Sequence, residues 1–229
     1  MPSAPQQETE PAVEAPAEAP RTGRPWRWPL VGGALALACA TVFATVAVTG
    51  QADARAAVEV ADVSADADFC RDMMIHHAQA VEMATIVRDH TGDPAVRLLA
   101  YDIITSQSNQ RGMMLGWLQH WQLDPTSPRR PMAWMGHDLP APQDGALMPG
   151  MATNTQLTAL SALSGRDAEI TFLRLMIAHH RSGVDMARGL LERGKQNDVR
   201  HLAEKIANGQ AADIDLMNDM LAERGAAQL

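Results

Sequence analysis

The chain carries one pattern twice. Phe69, Met73, His76, His77, Val81, Met83 and Ala84 return as Phe172, Met176, His179, His180, Val184, Met186 and Ala187, always 103 residues later. The same offset carries Val96, Leu99, Ala100, Ile103, Gln107 and Met114 onto Val199, Leu202, Ala203, Ile206, Gln210 and Met217 without a gap. A repeat of this length restricts the fold to two copies of one unit. Within each copy the apolar and histidine positions recur every three or four residues, the spacing of an amphipathic helix.

Stop and start signals divide the pattern into helices. The first is expected over residues 66–90, ended by the Thr-Gly-Asp-Pro of 91–94, with Pro94 opening a second that runs to about Trp121. Residues 122–152 form a connection rich in Pro, Gly and Met. The Thr-Asn-Thr-Gln at 153–156 reads as the capping box of a short helix to about Leu163. Long helices follow from Arg166 to Arg193 and from about Asp198 to Arg224. Two such hairpins predict an all-α four-helix bundle, with the connection crossing one end. Methionine, at 14 of 229 residues, is well above ordinary usage, and a net charge of -8 excludes a phosphate-neutralising nucleic-acid surface.

The N-terminal quarter is of another kind. Residues 1–20, mostly Pro, Glu and Ala, have almost nothing to bury and read as disordered. Arg21, Arg24, Arg27, Trp26 and Trp28 then precede an uncharged run, 30–50, long enough to cross a bilayer core. The charge asymmetry predicts one transmembrane anchor with its tail, 1–29, in the cytoplasm, a linker over 51–65, and the bundle, 66–229, outside the cytoplasm. Secretion after cleavage near the Ala-Asp-Ala of 52–54 is the alternative. Cys39 lies in the membrane run and Cys70 in the outer domain, so an intrachain disulfide is not expected.

At 100° per residue, Met73, His76, His77 and Met83 fall within a sector of about 120° that also holds Phe69 and Val87. That sector faces the core, while Glu82 and its counterpart Asp185 fall on the solvated side. Each repeat therefore turns two imidazoles and two thioethers inward: His76, His77, Met73 and Met83 in one, His179, His180, Met176 and Met186 in the other. Buried ring nitrogens need partners. Gln107, Gln110, Gln210 and Asp213 interrupt the apolar stripes of the other two helices at matching heights, suited to bonding the free ring nitrogens of metal-bound histidines. A lone inward histidine is ordinarily a hydrogen-bonded structural residue and a lone methionine core filler. Four of each at repeated positions point instead to a soft or borderline ion, copper as Cu(I) with Cu(II) second.

The doubled Phe-x-x-x-Met-x-x-His-His pattern followed by Met-Ala, with a Gln on each partner helix, resembles the domain of unknown function 305 family, which includes CopM-like copper-binding proteins. The resemblance covers roughly residues 66–225 and includes the Met-Pro-Gly-Met at 148–151. It implies a ferritin-like four-helix bundle, exported or anchored outside the cytoplasm, that binds copper through His and Met. It implies no catalytic activity. Two departures stand out: Cys70, where the second copy has Leu173, is a further candidate ligand, and Gln110 stands where the second copy has Asp213. Met132, Trp134, Met135, His137, Met148 and Met151 in the connection are either loop residues packing over the bundle end or a second copper site or entry lid, with Met135, His137, Met148 and Met151 the candidate ligands.

Three classes compete. The first is a membrane-anchored extracytoplasmic copper-binding protein that buffers, sequesters or delivers the ion, with an unidentified copper-exporting or copper-accepting partner. The second is a metal-free helical sensor or adaptor. The third is a ferritin-like metal-dependent oxidase, disfavoured because neither hairpin carries the Glu-x-x-His pair that such chemistry uses.

Overall fold

The computed structural model describes residues 60–136 and 143–229. The expected cytoplasmic tail, the transmembrane run, most of the linker and His137 lie outside these residues. Five α-helices follow in order: α1 Ala65–His90, α2 Pro94–His120, α3 Asn154–Ala162, α4 Gly165–Arg193 and α5 Asn197–Glu223, with one 3-10 turn at Ala133–Met135. Every long-helix boundary falls within a residue or so of its expected place, because the punctuation acts locally. Ser64 caps α1 by accepting from the Ala67 amide, and Asp93 caps α2 by accepting from Ala95 and Val96 ahead of Pro94. Thr153 and Gln156 close a complete capping box on α3.

α1 packs against α2, α4 against α5, and the two hairpins meet through α1 and α4. The outer helices α2 and α5 stand apart across a groove of about 560 Å³. The result is a four-helix bundle of two hairpins, as expected; nothing in the arrangement singles out ferritin among such bundles. No helix of the described residues is long and apolar enough to cross a membrane.

The two copies clamp each other reciprocally. The Asp66 carboxylate at the start of α1 accepts from the Lys195 and Gln196 amides in the turn between α4 and α5. Glu169, its counterpart at the start of α4, accepts from the Thr91 hydroxyl in the turn between α1 and α2, at 2.5 Å, and from Arg224, at 2.7 Å. Each carboxylate thereby ties the start of one hairpin to the turn of the other.

The core divides into two clusters. Met83 and Met176 lie in one, covered by Ala152 and Leu160, while Met73 and Met186 lie in the other with Cys70, covered by Met132, Met135 and Met148. Antiparallel packing of α1 on α4 explains the pairing, since it sets the early methionine of one copy beside the late methionine of the other.

The connection lies along α1 and α4 as a strap. Asp72 on α1 accepts from the Met132 amide at 2.7 Å and from the Trp134 indole at 2.9 Å. Burial raises its carboxyl pKa to about 6, with these two bonds opposing the rise. Further along, the Gln79 side chain donates to the Ala152 carbonyl and accepts from its amide. Gly150, at φ +75°, allows the strap to approach α4: a Cβ there would meet the Ala178 carbonyl oxygen at 2.6 Å.

Candidate metal centre

The four histidines are fully buried and form a row across the junction of the hairpins. His76 of α1 and His179 of α4 stack with ring centroids 3.7 Å apart and planes 30° from parallel. His77 and His180 flank them, 6.3 Å and 6.2 Å from their neighbours, at interplanar angles of 50° and 51°. The near-equal values express a two-fold relation between the copies.

At each end the row meets an outer helix. His77 Nε2 lies 2.6 Å from Gln110 Oε1 on α2, and His180 Nε2 lies 3.2 Å from Asp213 Oδ2 on α5. Gln110 and Asp213 both line the groove, so each outer imidazole is one hydrogen bond from solvent-facing space. The expectation that all four polar residues bond the histidines needs correction. Gln107 Oε1 and both amide atoms of Gln210 have no partner, and Gln210 instead lies against Gly183, where a Cβ would collide with it. Gln107 and Gln210 sit one turn from Gln110 and Asp213, and only the latter pair is level with the outer rings.

Six of the eight ring nitrogens, both of His76 and His179 and the Nδ1 of His77 and His180, have no hydrogen-bond partner. An unsatisfied buried polar group costs about 1–3 kcal/mol, so the bundle keeps these nitrogens at a real expense in stability. Burial is the main reason the His76 and His179 pKa values fall well below the usual histidine range, and the other imidazoles of the row add to the fall. Burial likewise takes His77 to about 3, against the pull of its Gln110 bond. The inner rings are neutral at physiological pH, each with a lone pair available.

The four expected thioether residues, Met73, Met83, Met176 and Met186, are all fully buried. They divide between the two core clusters as described, two on each side of the histidine row. Among the described residues no group of three or more His, Cys, Asp and Glu side chains is arranged to hold a metal ion. The inner rings face each other by stacking. Cys70 is free and fully buried in the cluster of Met73, and burial pushes its thiol well above the usual range. Met135 and Met148 are buried there as well, with Met151 packed at the edge. Met132 of the connection belongs to the same cluster.

The comparisons bear on this geometry. A DUF305 protein from Streptomyces coelicolor, named as a secreted protein, is 50% identical, with a TM-score of 0.69 over 74% of this chain and 99% of that one. A DUF305 fragment from Deinococcus radiodurans is 33% identical, with a TM-score of 0.59 over 69% of this chain and 96% of that one. CopM is 25% identical in its Cu(I)-bound form and 27% in its Cu(II)-bound form, with TM-scores of 0.52 and 0.54, each over 69% of this chain and 96% of that one. No curated protein matches. The family model for the domain of unknown function DUF305 matches residues 66–221, which span both histidine pairs and all four long helices, and the chain belongs to that family.

Proposed function

We propose that this protein binds copper outside the cytoplasm and buffers, sequesters or hands on the ion, with the histidine row and its flanking methionines as ligands. The observation that carries the reading is the set of six unpaired, fully buried ring nitrogens lying between buried thioethers. Neutral imidazole and thioether suit Cu(I), and imidazole alone suits Cu(II). The Cu(I)- and Cu(II)-bound forms of CopM support copper as the ion. In this reading His76, His77, His179 and His180 hold copper after ring rotation, with Met73, Met83, Met176 and Met186 at the border, while Gln110 and Asp213 orient the outer rings. Gln107 and Gln210 stand by as unpaired amides. The stacking of His76 on His179 supports a single shared site, since neither hairpin alone brings both rings together.

The uncharged run 30–50 serves in this reading as an anchor that holds the bundle outside the cytoplasm. The Streptomyces coelicolor relative named as secreted supports the extracytoplasmic side and favours cleavage as the rival to anchoring. Sequencing the N-terminus of the cell-associated protein separates the two.

Anaerobic Cu(I) titration of the full-length chain against a competing chelator tests the function. Tight binding that His76→Ala with His77→Ala abolishes is the expected result. No binding above a non-specific background would select the metal-free sensor or adaptor instead.

A further inference from the structure

The two ends of the bundle are an internal control. Met73, Met114 and Met186 at the strap-covered end have counterparts in Met176, Met217 and Met83 at the other, so these three positions carry sulfur in both copies. Two features diverge. Cys70 stands where the other end has Leu173, and the cover is Met132, Met135 and Met148 where the other end uses Ala152 and Leu160. Beyond the shared positions the other end adds only Met220, where the strap-covered end has Trp117, so packing alone does not require the surplus sulfur.

The surplus sulfur is also seated by dedicated backbone. Met135 rests over Gly189 of α4, where a Cβ would stand 2.7 Å from the Met135 methyl and 3.4 Å from its sulfur. The first copy has Ile86 at the matching place. Asp72 fixes the strap above α1 through the Met132 amide and the Trp134 indole, and Trp134 meets Phe69 edge-on at 6.0 Å. Met132 and Met148 are 4% exposed and Met135 8%, so these strap side chains are buried over the cluster that holds Cys70.

We propose that the strap-covered end is a second soft-metal site, in which Met132, Met135, Met148 and Cys70 take up a monovalent cation such as Cu(I) or Ag(I) beside the histidine row. Thioethers bind such ions without losing a proton and discriminate against Zn(II). The Cys70 thiol releases its proton to solvent as its sulfur joins the ion. Met73 and Met186 lie in the same cluster and form the border with the histidine row. The proposal takes only its choice of ion from the copper reading, and the two sites are separable by mutation.

The test is an Ag(I) competition titration of the full-length, reduced protein. Three chains are compared: the unaltered one, the variant Cys70→Leu/Met132→Leu/Met135→Leu/Met148→Leu, and the variant His76→Ala/His179→Ala. The expected result is that the first variant loses one class of bound Ag(I) that the second retains, while Zn(II) binding by the first is unchanged. Undiminished Ag(I) stoichiometry and affinity in the first variant overturns the proposal, even if the histidine variant shows that copper binding is real. Should that variant fail to fold, methyl-labelled methionine NMR of the unaltered protein decides. Shifts at Met132, Met135 and Met148 on adding Ag(I) support the site, and shifts confined to Met83 and Met176 overturn it.

Discussion

The two ends of the bundle share one backbone plan and differ in their lids. At one end Leu173 lies in a core covered by Ala152 and Leu160; at the other Cys70 lies under Met132, Met135 and Met148. Between them the histidine row keeps the two-fold relation, with flanking ring separations of 6.3 Å and 6.2 Å. Symmetry persists where both copies supply the same atoms to one place, and it breaks where a single, unrepeated connection supplies the cover. The row shows one break of its own: His77 has an amide partner in Gln110, and His180 a carboxylate in Asp213.

The strongest way to break the comparison is to damage one half of the row. Changing His76 and His77 to Ala should weaken tight Cu(I) binding by at least about 1,000-fold, roughly 4 kcal/mol. Adding His179→Ala and His180→Ala should cost little more, because ligands of one site are not additive. A double variant that keeps half the ions at unchanged affinity would show two independent sites.

Acid should act on the row at a similar scale. In the metal-free protein His76, His77 and His179 are held neutral when folded, with pKa values below that of the unfolded chain. Their neutral form is favourable above about pH 6.5, and below it each costs up to about 1.4 kcal/mol per pH unit, because the unfolded chain takes the protons. For His77 this loss continues down to about pH 3. Urea denaturation at pH 7.5 and 5.5 should therefore show a fall of a few kcal/mol in the metal-free protein. An equal fall in a variant with His76, His77 and His179 all changed to Leu would assign it elsewhere.

A smaller effect is expected from the thioethers. Replacing Met73, Met83, Met176 and Met186 together with Leu should lower Cu(I) affinity by about tenfold, or 1.4 kcal/mol, and leave Zn(II) affinity nearly unchanged. The swap nearly conserves volume, so the melting temperature should hold within a few degrees. An unchanged Cu(I) affinity would confine the ligands of the row to nitrogen.

The mildest change sharpens the contrast between the lids. Gly189→Ala should cost about 1 kcal/mol, because its Cβ meets the flexible tip of Met135. Gly209→Ala, whose Cβ meets nothing within 4 Å, should stabilise α5 by up to about 1 kcal/mol. Thermal melts of the two variants should move in opposite directions.

Helix limits and inward residues were legible because both follow from neighbours a few positions apart. Ser64, Asp93 and Thr153 each cap within three residues, and the angles of Met73, His76, His77 and Met83 need only the helical period. The stacking of His76 on His179 was not legible, since it depends on how α1 slides against α4. The choice of Gln110 and Asp213 over Gln107 and Gln210 was lost for the same reason: one turn of difference along a helix is decided by packing. Met132 could be named only as one of several loop residues, because a connection without a period gives no face to assign. The Asp66 and Glu169 clamps span over 70 residues of sequence and left no local mark.

Those clamps have a consequence for the order of synthesis. The Asp66 carboxylate waits for amides 129 and 130 residues further along the chain. Until they emerge, the first hairpin has its turn at Thr91 without Glu169, and its two histidines have no facing pair. A nascent chain carrying only that hairpin is thus an open, exposed half with strong metal donors and no enclosure. Such distant contacts slow folding, and they form late. The second hairpin buries these histidines and completes both clamps, so the bundle encloses its core only after nearly all of the chain has been made.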